Sequence, residues 1–378
     1  MNKILPFALV LFFECHPSAA QEQPEKRLPM SSNHLITKMD KNIDAETQRY
    51  LKRQKTVGLE IGILKDNKMV YYGYGETERG SRQLPDEHTI FEIGSITKTF
   101  TATLLAKAVE DGKMKLDDPV SKYLPDSLPA FEFRGTPATL QTLANHTSGL
   151  PGNPSNIKYP PEIHGVWSGD PFKDYDDNDL FRFYAHLKLK HKPGEKSEYS
   201  NLAFGTLGVV LERVYGKSFE QLVIEEISGP LGLADTRQTV PPGDTSRVAH
   251  GYANNGQPAL AWHDKALAAC GALRSTASDL LRYALAQMGQ APEELMAAIA
   301  LTHQITYRQK KGGIGLAWNI ERQDTTEWIF HGGVTGGFGS ILVFSPNKKI
   351  ALVILANNPL GVENLVEDIL PIIEKDGK

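Results

Sequence analysis

Ser340-Ile341-Leu342-Val343-Phe344, then Ser345-Pro346-Asn347-Lys348, then Ile350-Ala351-Leu352-Val353-Ile354-Leu355 follow one another near the C-terminus. They read as a strand, a turn and a second strand, because two apolar, β-branched runs flank Pro/Asn turn chemistry. The other end of the chain mirrors this hairpin. Val57 to Leu64 and Met69 to Tyr74 are strand-like and enclose the turn Lys65-Asp66-Asn67-Lys68. Asp40 to Lys55 has helical spacing, and Val362 to Ile373 sets Leu365, Ile369, Leu370 and Ile373 on one helix face. The stretch from about 100 to 300 is mainly helical in pattern. The fold class expected is α+β: a sheet built from both termini and flanked by helices, with an inserted, mainly helical lobe. The sheet lobe takes about 40–95 and 305–378, and the helical lobe about 100–300. No repeat or flexible linker separates them, so one interlocked unit of 21–378 is expected.

The composition narrows the function classes. The 378 residues carry a formal charge of −4, with 40% apolar and 23% charged side chains, which is ordinary for a globular protein. That balance removes the electrostatic case for nucleic-acid binding, which needs a basic surface to displace counterions. Two cysteines, Cys15 and Cys270, exclude a disulfide framework and a cysteine zinc site. Lys3, the apolar run Ile4 to Phe13 and the small-residue site Ser18-Ala19-Ala20 read as a secretory signal over residues 1–20. The run is too short for a transmembrane helix. The mature chain is then exported, to the periplasm or beyond, and begins at Gln21, followed by a loose leader to residue 38. Cys15 raises a lipid anchor as an alternative, which Glu14 before it fits poorly. Cys270 sits in Ala268-Ala269-Cys270-Gly271-Ala272 and reads as a small core residue.

No phosphate loop, dinucleotide fingerprint, H-E-x-x-H helix or EF-hand loop occurs, and the histidines show no metal-ligand spacing. Ser-x-x-Lys occurs three times, starting at Ser95, Ser155 and Ser345. Context separates the copies. Ser345 lies in the hairpin turn and Ser155 in a Gly/Pro/Asn-rich loop. Ser95 follows Gly94 and opens a helical stripe of Phe100, Leu104, Leu105, Ala108 and Val109, with Gly112 placed to end it. Ser95 and Lys98, three residues apart, then share a helical face. A serine hydroxyl is a weak nucleophile until a neighbour takes its proton, and a desolvated lysine can do so. Read alone, the tetrad also fits an N-cap serine beside a solvent-facing lysine.

Tyr-x-Asn occurs twice. Tyr199-Ser200-Asn201 follows the turn Lys192-Pro193-Gly194 and precedes the helical run Leu202 to Val214, so it sits at the mouth of a helix. Tyr252-Ala253-Asn254 lies in a Gly/Asn-rich reverse turn. The first copy is favoured as a proton carrier and substrate donor. His331-Gly332-Gly333-Val334-Thr335-Gly336-Gly337-Phe338-Gly339-Ser340 lets a strand backbone approach a ligand closely. It equally fits a plain Gly-rich strand entry.

Taken together these segments resemble the penicillin-recognising serine hydrolases, in particular the class C β-lactamases and the related DD-peptidases and esterases. The resemblance rests on Phe91 to Thr101, Lys115 to Val120, Leu143 to Pro151, Tyr199 to Phe204 and Thr335 to Ser340, and it covers nearly the whole mature chain. It implies an antiparallel sheet flanked by helices, a helical lobe, and a site in the cleft between them. It implies Ser95 as nucleophile, with Lys98 and Tyr199 sharing proton transfer and the identity of the base left open. Backbone N–H groups of Ser95 and Val334 would form the oxyanion hole, and Asn201 and Asn153 would hold the substrate's side-chain amide. His331 and Gly333 would line the substrate site. No metal or organic cofactor is implied.

One departure bears on substrate. Class C β-lactamases have Lys-Thr-Gly where this chain has His331-Gly332-Gly333. A histidine supplies no permanent charge for a substrate carboxylate near pH 7. If His331 pairs with a carboxylate, affinity for anionic substrates falls as pH rises through the histidine pKa. The expected substrates are β-lactams, D-Ala-D-Ala peptides or esters. The leading reading is hydrolysis through a serine acyl-enzyme. The alternatives are a promiscuous esterase or D-amino-acid amidase, and a slowly deacylating penicillin-binding protein.

Overall fold

The central sheet has eight antiparallel strands drawn from both ends of the chain. The structure is a computed structural model and describes residues 31–375 apart from 32, 55, 164, 165, 168, 324 and 360. The leader assigned to residues 1–20, with Cys15, lies outside the described residues. Helix α1 (Lys38–Arg53) opens the described fold, starting two residues earlier than the pattern suggests because Thr37 and Asp40 form a capping box. Strands β1 (Gly58–Lys65) and β2 (Lys68–Gly75) follow. The remaining strands are β3 (Tyr307–Gln309), β4 (Gly312–Ile314), β5 (Asn319–Gln323), β6 (Thr326–Val334), β7 (Gly339–Ser345) and β8 (Ile350–Ala356). Their order is β2-β1-β8-β7-β6-β5-β4-β3, so the last strand pairs with the first and the two ends of the chain close one sheet.

The uninterrupted apolar runs have a physical reason. Successive side chains on a strand point to opposite faces, and both faces of this sheet are covered. On β8, Ile350, Leu352 and Ile354 pack with Ile43 and Tyr50 of α1 and with Leu365 and Ile369 of the closing helix. Ala351, Val353 and Leu355 face the other way, into a core shared with Phe100, Leu104, Phe204 and Leu281 of the inserted lobe. A one-residue slip would exchange these two sets, so burial fixes the register.

Three helices of the lobe bear on the site: α2 (Thr97–Glu110), α3 (Asn201–Tyr215) and α4 (Ala277–Gln287). Gly112 takes the left-handed conformation just past the end of α2. Beyond Asn319, which pairs with Phe330, β5 no longer covers β6. The backbone from His331 to Val334 is therefore open on that side, and the inserted lobe docks against it. Among the described residues no helix is long and apolar enough to cross a membrane.

Glu60, on β1, is fully buried, and neither carboxylate oxygen has a hydrogen-bond partner. Burial, with repulsion from Asp86 and Glu87, raises its pKa well above the ordinary value. A carboxyl with a raised folded-state pKa contributes full stability below its unfolded pKa and loses it as pH rises toward the folded one. Urea midpoints of the wild type should therefore fall between pH 5 and pH 8 more than those of Glu60→Gln. Parallel pH profiles for the two proteins would rule out this source of strain.

Candidate active site

The segment carrying Ser95 is held at both ends. Phe91–Glu92 pairs with Arg274–Ser275, and Gly94 then takes a positive φ of 47° to turn the chain. Gly94–Ile96 forms a 3-10 turn that leads into α2. Ser95 is thus not the N-cap of α2. That position belongs to Ile96, which makes no side-chain cap, so the Ser95 hydroxyl is free of the capping role. Lys98 lies one turn on and is fully buried. The Ser-Lys spacing does place the two groups together: Lys98 Nζ donates to Ser95 Oγ over 3.0 Å.

Three oxygens surround the Lys98 ammonium. Besides Ser95 Oγ, it donates to Asn201 Oδ1 at 2.8 Å and to the Cys270 carbonyl at 2.7 Å. An ammonium has three N–H donors, so each has an acceptor. Tyr199 OH donates to Ser95 Oγ at 2.6 Å. The hydroxyl oxygen of Ser95 therefore receives two hydrogen bonds, from a lysine and from a phenol. For Ser95 to lose its proton one of these contacts has to reverse, and both candidate bases are within proton-transfer distance. Asn201 Nδ2 donates to Asn153 Oδ1 at 3.0 Å, which brings Asn153 into the same network.

The third motif borders Ser95 through its backbone. Thr335 N–H donates to the Phe338 carbonyl, which closes the β6–β7 turn. Pairing alternates along an antiparallel ladder, so Val334, opposite Gly339, points its N–H away from β7. That N–H faces Gly94: a Cβ added to Gly94 would lie 2.7 Å from Val334 N. A Cβ added to Gly333 would lie 2.0 Å from the Ile93 carbonyl and 2.9 Å from Ser95 N. The backbones carrying Ser95 N and Val334 N are therefore in close contact through Gly94 and Gly333.

His331, expected to line the substrate site, bears on the carboxylate question through its surroundings. His331 is buried, and its Nδ1 donates to the Gly332 carbonyl at 2.7 Å. Burial, together with the Lys98 charge, pushes its pKa down to about 3. That direction favours the uncharged ring at neutral pH.

The other copies of each motif are occupied elsewhere. Ser345 Oγ donates to Asn347, and Lys348 pairs with Glu374. Ser155 and Lys158 are exposed in their loop. Tyr252 OH accepts from the Arg79 N–H, and its segment forms the reverse turn expected.

Two contributors carry no motif of their own. His146 Nδ1 accepts the Ser200 N–H at 3.1 Å, and its ring lies against Tyr199 with centroids 4.4 Å apart. Burial first, then Lys98 and His331, hold His146 well below the usual imidazole range. The Cys270 carbonyl holds Lys98, while burial pushes the Cys270 thiol up to about 12, which keeps it protonated and unreactive. The place of His146 in the family-like stretch Leu143 to Pro151 was its one sequence signal.

With this geometry in view, the comparisons are specific. The family model described as Beta-lactamase matches residues 43–374. The chain belongs to the β-lactamase family. A β-lactamase of Pseudomonas fluorescens is 30% identical over 348 residues, covering 83% of this chain and 92% of that protein. The D-alanyl-D-alanine-carboxypeptidase/endopeptidase AmpH of Escherichia coli (strain K12) is also 30% identical, over 82% of this chain and 84% of its own. A solved class C β-lactamase superposes with a TM-score of 0.78 at 25% identity, covering 90% of this chain and 98% of that one. The family assignment makes the chain a serine hydrolase.

Two outcomes test the site. Gly333→Ala should lower kcat about 100- to 1000-fold, the loss expected when an oxyanion donor is displaced, with thermal unfolding recorded alongside; wild-type kcat would remove Gly333 from the site. For His331, the kcat/KM ratio of a carboxylate-bearing substrate to its methyl ester should be flat from pH 5 to pH 8. A ratio rising toward pH 5 and abolished by His331→Gln would restore the cationic role.

Proposed function

We propose that the chain is an exported hydrolase that opens β-lactams and cleaves D-Ala-D-Ala peptides through an acyl-enzyme on Ser95. The observation that carries this reading is the double hydrogen bond to Ser95 Oγ, from Lys98 and from Tyr199. In the proposed reaction one of Lys98 and Tyr199 first releases a proton to solvent, and Ser95 Oγ then attacks the scissile carbonyl while its own proton passes to the group left deprotonated. Negative charge develops on the carbonyl oxygen between the N–H groups of Ser95 and Val334. The leaving amine takes the proton from the same pair, which then activates a water to release the acyl group. Asn201 and Asn153 hold the amide of the acyl side. The names of the relatives support the two substrate classes.

A second reading, hydrolysis of uncharged esters or amides, is favoured by the neutral His331, which offers no countercharge to a carboxylate. Export is supported by the leader of residues 1–20.

Protein expressed with its own leader and purified should turn over a chromogenic cephalosporin and release D-alanine from a D-Ala-D-Ala peptide. Ser95→Ala should bring both to background, and retained activity would discard the nucleophile. Turnover confined to p-nitrophenyl esters would support the second reading. A lasting acyl adduct without turnover would mark a binding protein. The secreted or periplasmic product should begin at Gln21; an intact Met1 would remove export by a cleaved leader.

A further inference from the structure

Tyr199 lies in a stretch without regular secondary structure. Residues 196 to 200 form neither helix nor strand, so the 2.6 Å contact of Tyr199 OH with Ser95 Oγ depends on individual tethers. Most of these tethers are neutral. Glu198 N–H donates to the His146 carbonyl at 2.8 Å, Ser200 N–H to His146 Nδ1 at 3.1 Å and Ser200 Oγ to the Pro151 carbonyl at 2.6 Å. One tether carries charge. The Glu198 carboxylate, next to Tyr199 in the chain, meets Lys196 Nζ through one oxygen and faces His191 Nε2 at 3.3 Å with the other.

The charge state of each histidine beside this loop follows from its partners. The Lys192 carbonyl can only accept, so His191 Nδ1, 3.2 Å away, is the donor. In a neutral ring with its proton on Nδ1, Nε2 is a lone pair. That lone pair would face a carboxylate from a side chain only 9% exposed, and Nε2 has no aligned hydrogen-bond partner. The imidazolium carries an N–H at both nitrogens and turns the repulsion into attraction. His146 requires the opposite. A backbone N–H can only donate, so Nδ1, which receives the Ser200 N–H, is unprotonated and the ring is neutral. The His146 ring lies against Tyr199, and the Lys98 ammonium stands 4.8 Å from the centroid of the same tyrosine ring. The titratable groups that meet the loop are thus Lys196 and Glu198 within it, His191 at its entry, and His146 and Lys98 from the segments packed on it. Lys192 and Glu195 flank the turn and are exposed.

We propose that His191 is a positioning residue for Tyr199: as an imidazolium it clamps Glu198 and so holds the Tyr199 hydroxyl on Ser95, and its deprotonation slackens that hold. Histidine is the side chain that changes charge between pH 5 and 8. Lys196, followed by His191, holds the Glu198 carboxyl below its ordinary range, so the anion persists while the histidine titrates. The clamp is therefore present at the acid end of this window and lost as pH rises. Glu198 is 40% exposed, which keeps the effect modest and open to screening by salt. The proposal rests on the acyl-enzyme reading for what Tyr199 does at Ser95, and it adds the contact that keeps Tyr199 there.

The test compares kcat for p-nitrophenyl acetate in wild type, Glu198→Gln and His191→Gln at pH 5 and pH 8.5. Both variants lack the charged contact at every pH. Each should fall about threefold below wild type at pH 5 and match or exceed it at pH 8.5, with KM unchanged. A direct effect of charge on the base would move the two variants in opposite directions, because one removes an anion and the other a cation. Ratios to wild type that move oppositely, or that do not change with pH, overturn the proposal. A second measurement does not need catalysis. In Ser95→Ala protein the ring nitrogen NMR shifts of His191 report its imidazolium fraction. At the pH where that ring is half protonated, adding Glu198→Gln should lower the fraction to about a third or less, and the Tyr199 ring resonances should titrate together with His191. Equal fractions, or Tyr199 signals indifferent to His191, overturn the clamp. Absence of ester turnover with this coupling intact would instead count against the acyl-enzyme reading alone.

Discussion

The structure turns on one buried charge. Lys98 has no exposure to water, and an isolated ammonium cannot be taken out of water without strong replacement partners. Its partners are three neutral oxygens from three separate segments: the 3-10 turn at Ser95, the start of α3 at Asn201 and the short helix at Cys270. The same contacts that solvate the charge also draw these segments together against the open edge of β6. Nucleophile placement and lobe packing are therefore one interaction. Removing any of the three oxygens leaves a buried charge short of a partner, which is more damaging than losing an ordinary hydrogen bond. The charge also acts at a distance. It adds to burial in keeping both His146 and His331 neutral.

The parts of the fold that were legible in the sequence are those where a local pattern carries a global consequence. The runs at 341–344 and 350–355 are apolar throughout because both faces of β7 and β8 are covered. Ser95 could be told from Ser155 and Ser345 because only its tetrad enters a helix with a buried stripe. Strands β3 to β5 are a different case. They are three to five residues of polar and glycine-rich sequence at the sheet's far edge, and no alternation marks them. The capping box moved the start of α1, and a 3-10 turn replaced the expected helix start at Ser95. Both depend on local hydrogen bonds that spacing alone does not specify.

The site residues show the same division. Ser95, Lys98, Tyr199, Asn201 and Asn153 lie in segments with recognisable order, and the fold brings them into one network. The Cys270 carbonyl was not legible, and His146 only through its place in the stretch Leu143 to Pro151, because each acts through distant contacts. A backbone carbonyl has no sequence identity at all. The state of His331 was half legible: its type was plain, but its neutrality comes from burial and from a lysine more than 200 positions away in the chain.

That neutrality has a structural logic. A second cation at position 331 would share a poorly solvated cleft with Lys98, whose three oxygens are all neutral. Histidine avoids the repulsion by donating Nδ1–H to Gly332 and remaining uncharged. The cleft is then left without a fixed positive charge on the β6 side to orient a substrate. In the proposed function orientation comes from hydrogen bonds at Asn201 and Asn153, and Asn153 is itself held by Asn201 and Tyr159. In the proposed function, a substrate held by hydrogen bonds to neutral amides, unlike one held by an exposed ion pair, loses little affinity as salt rises.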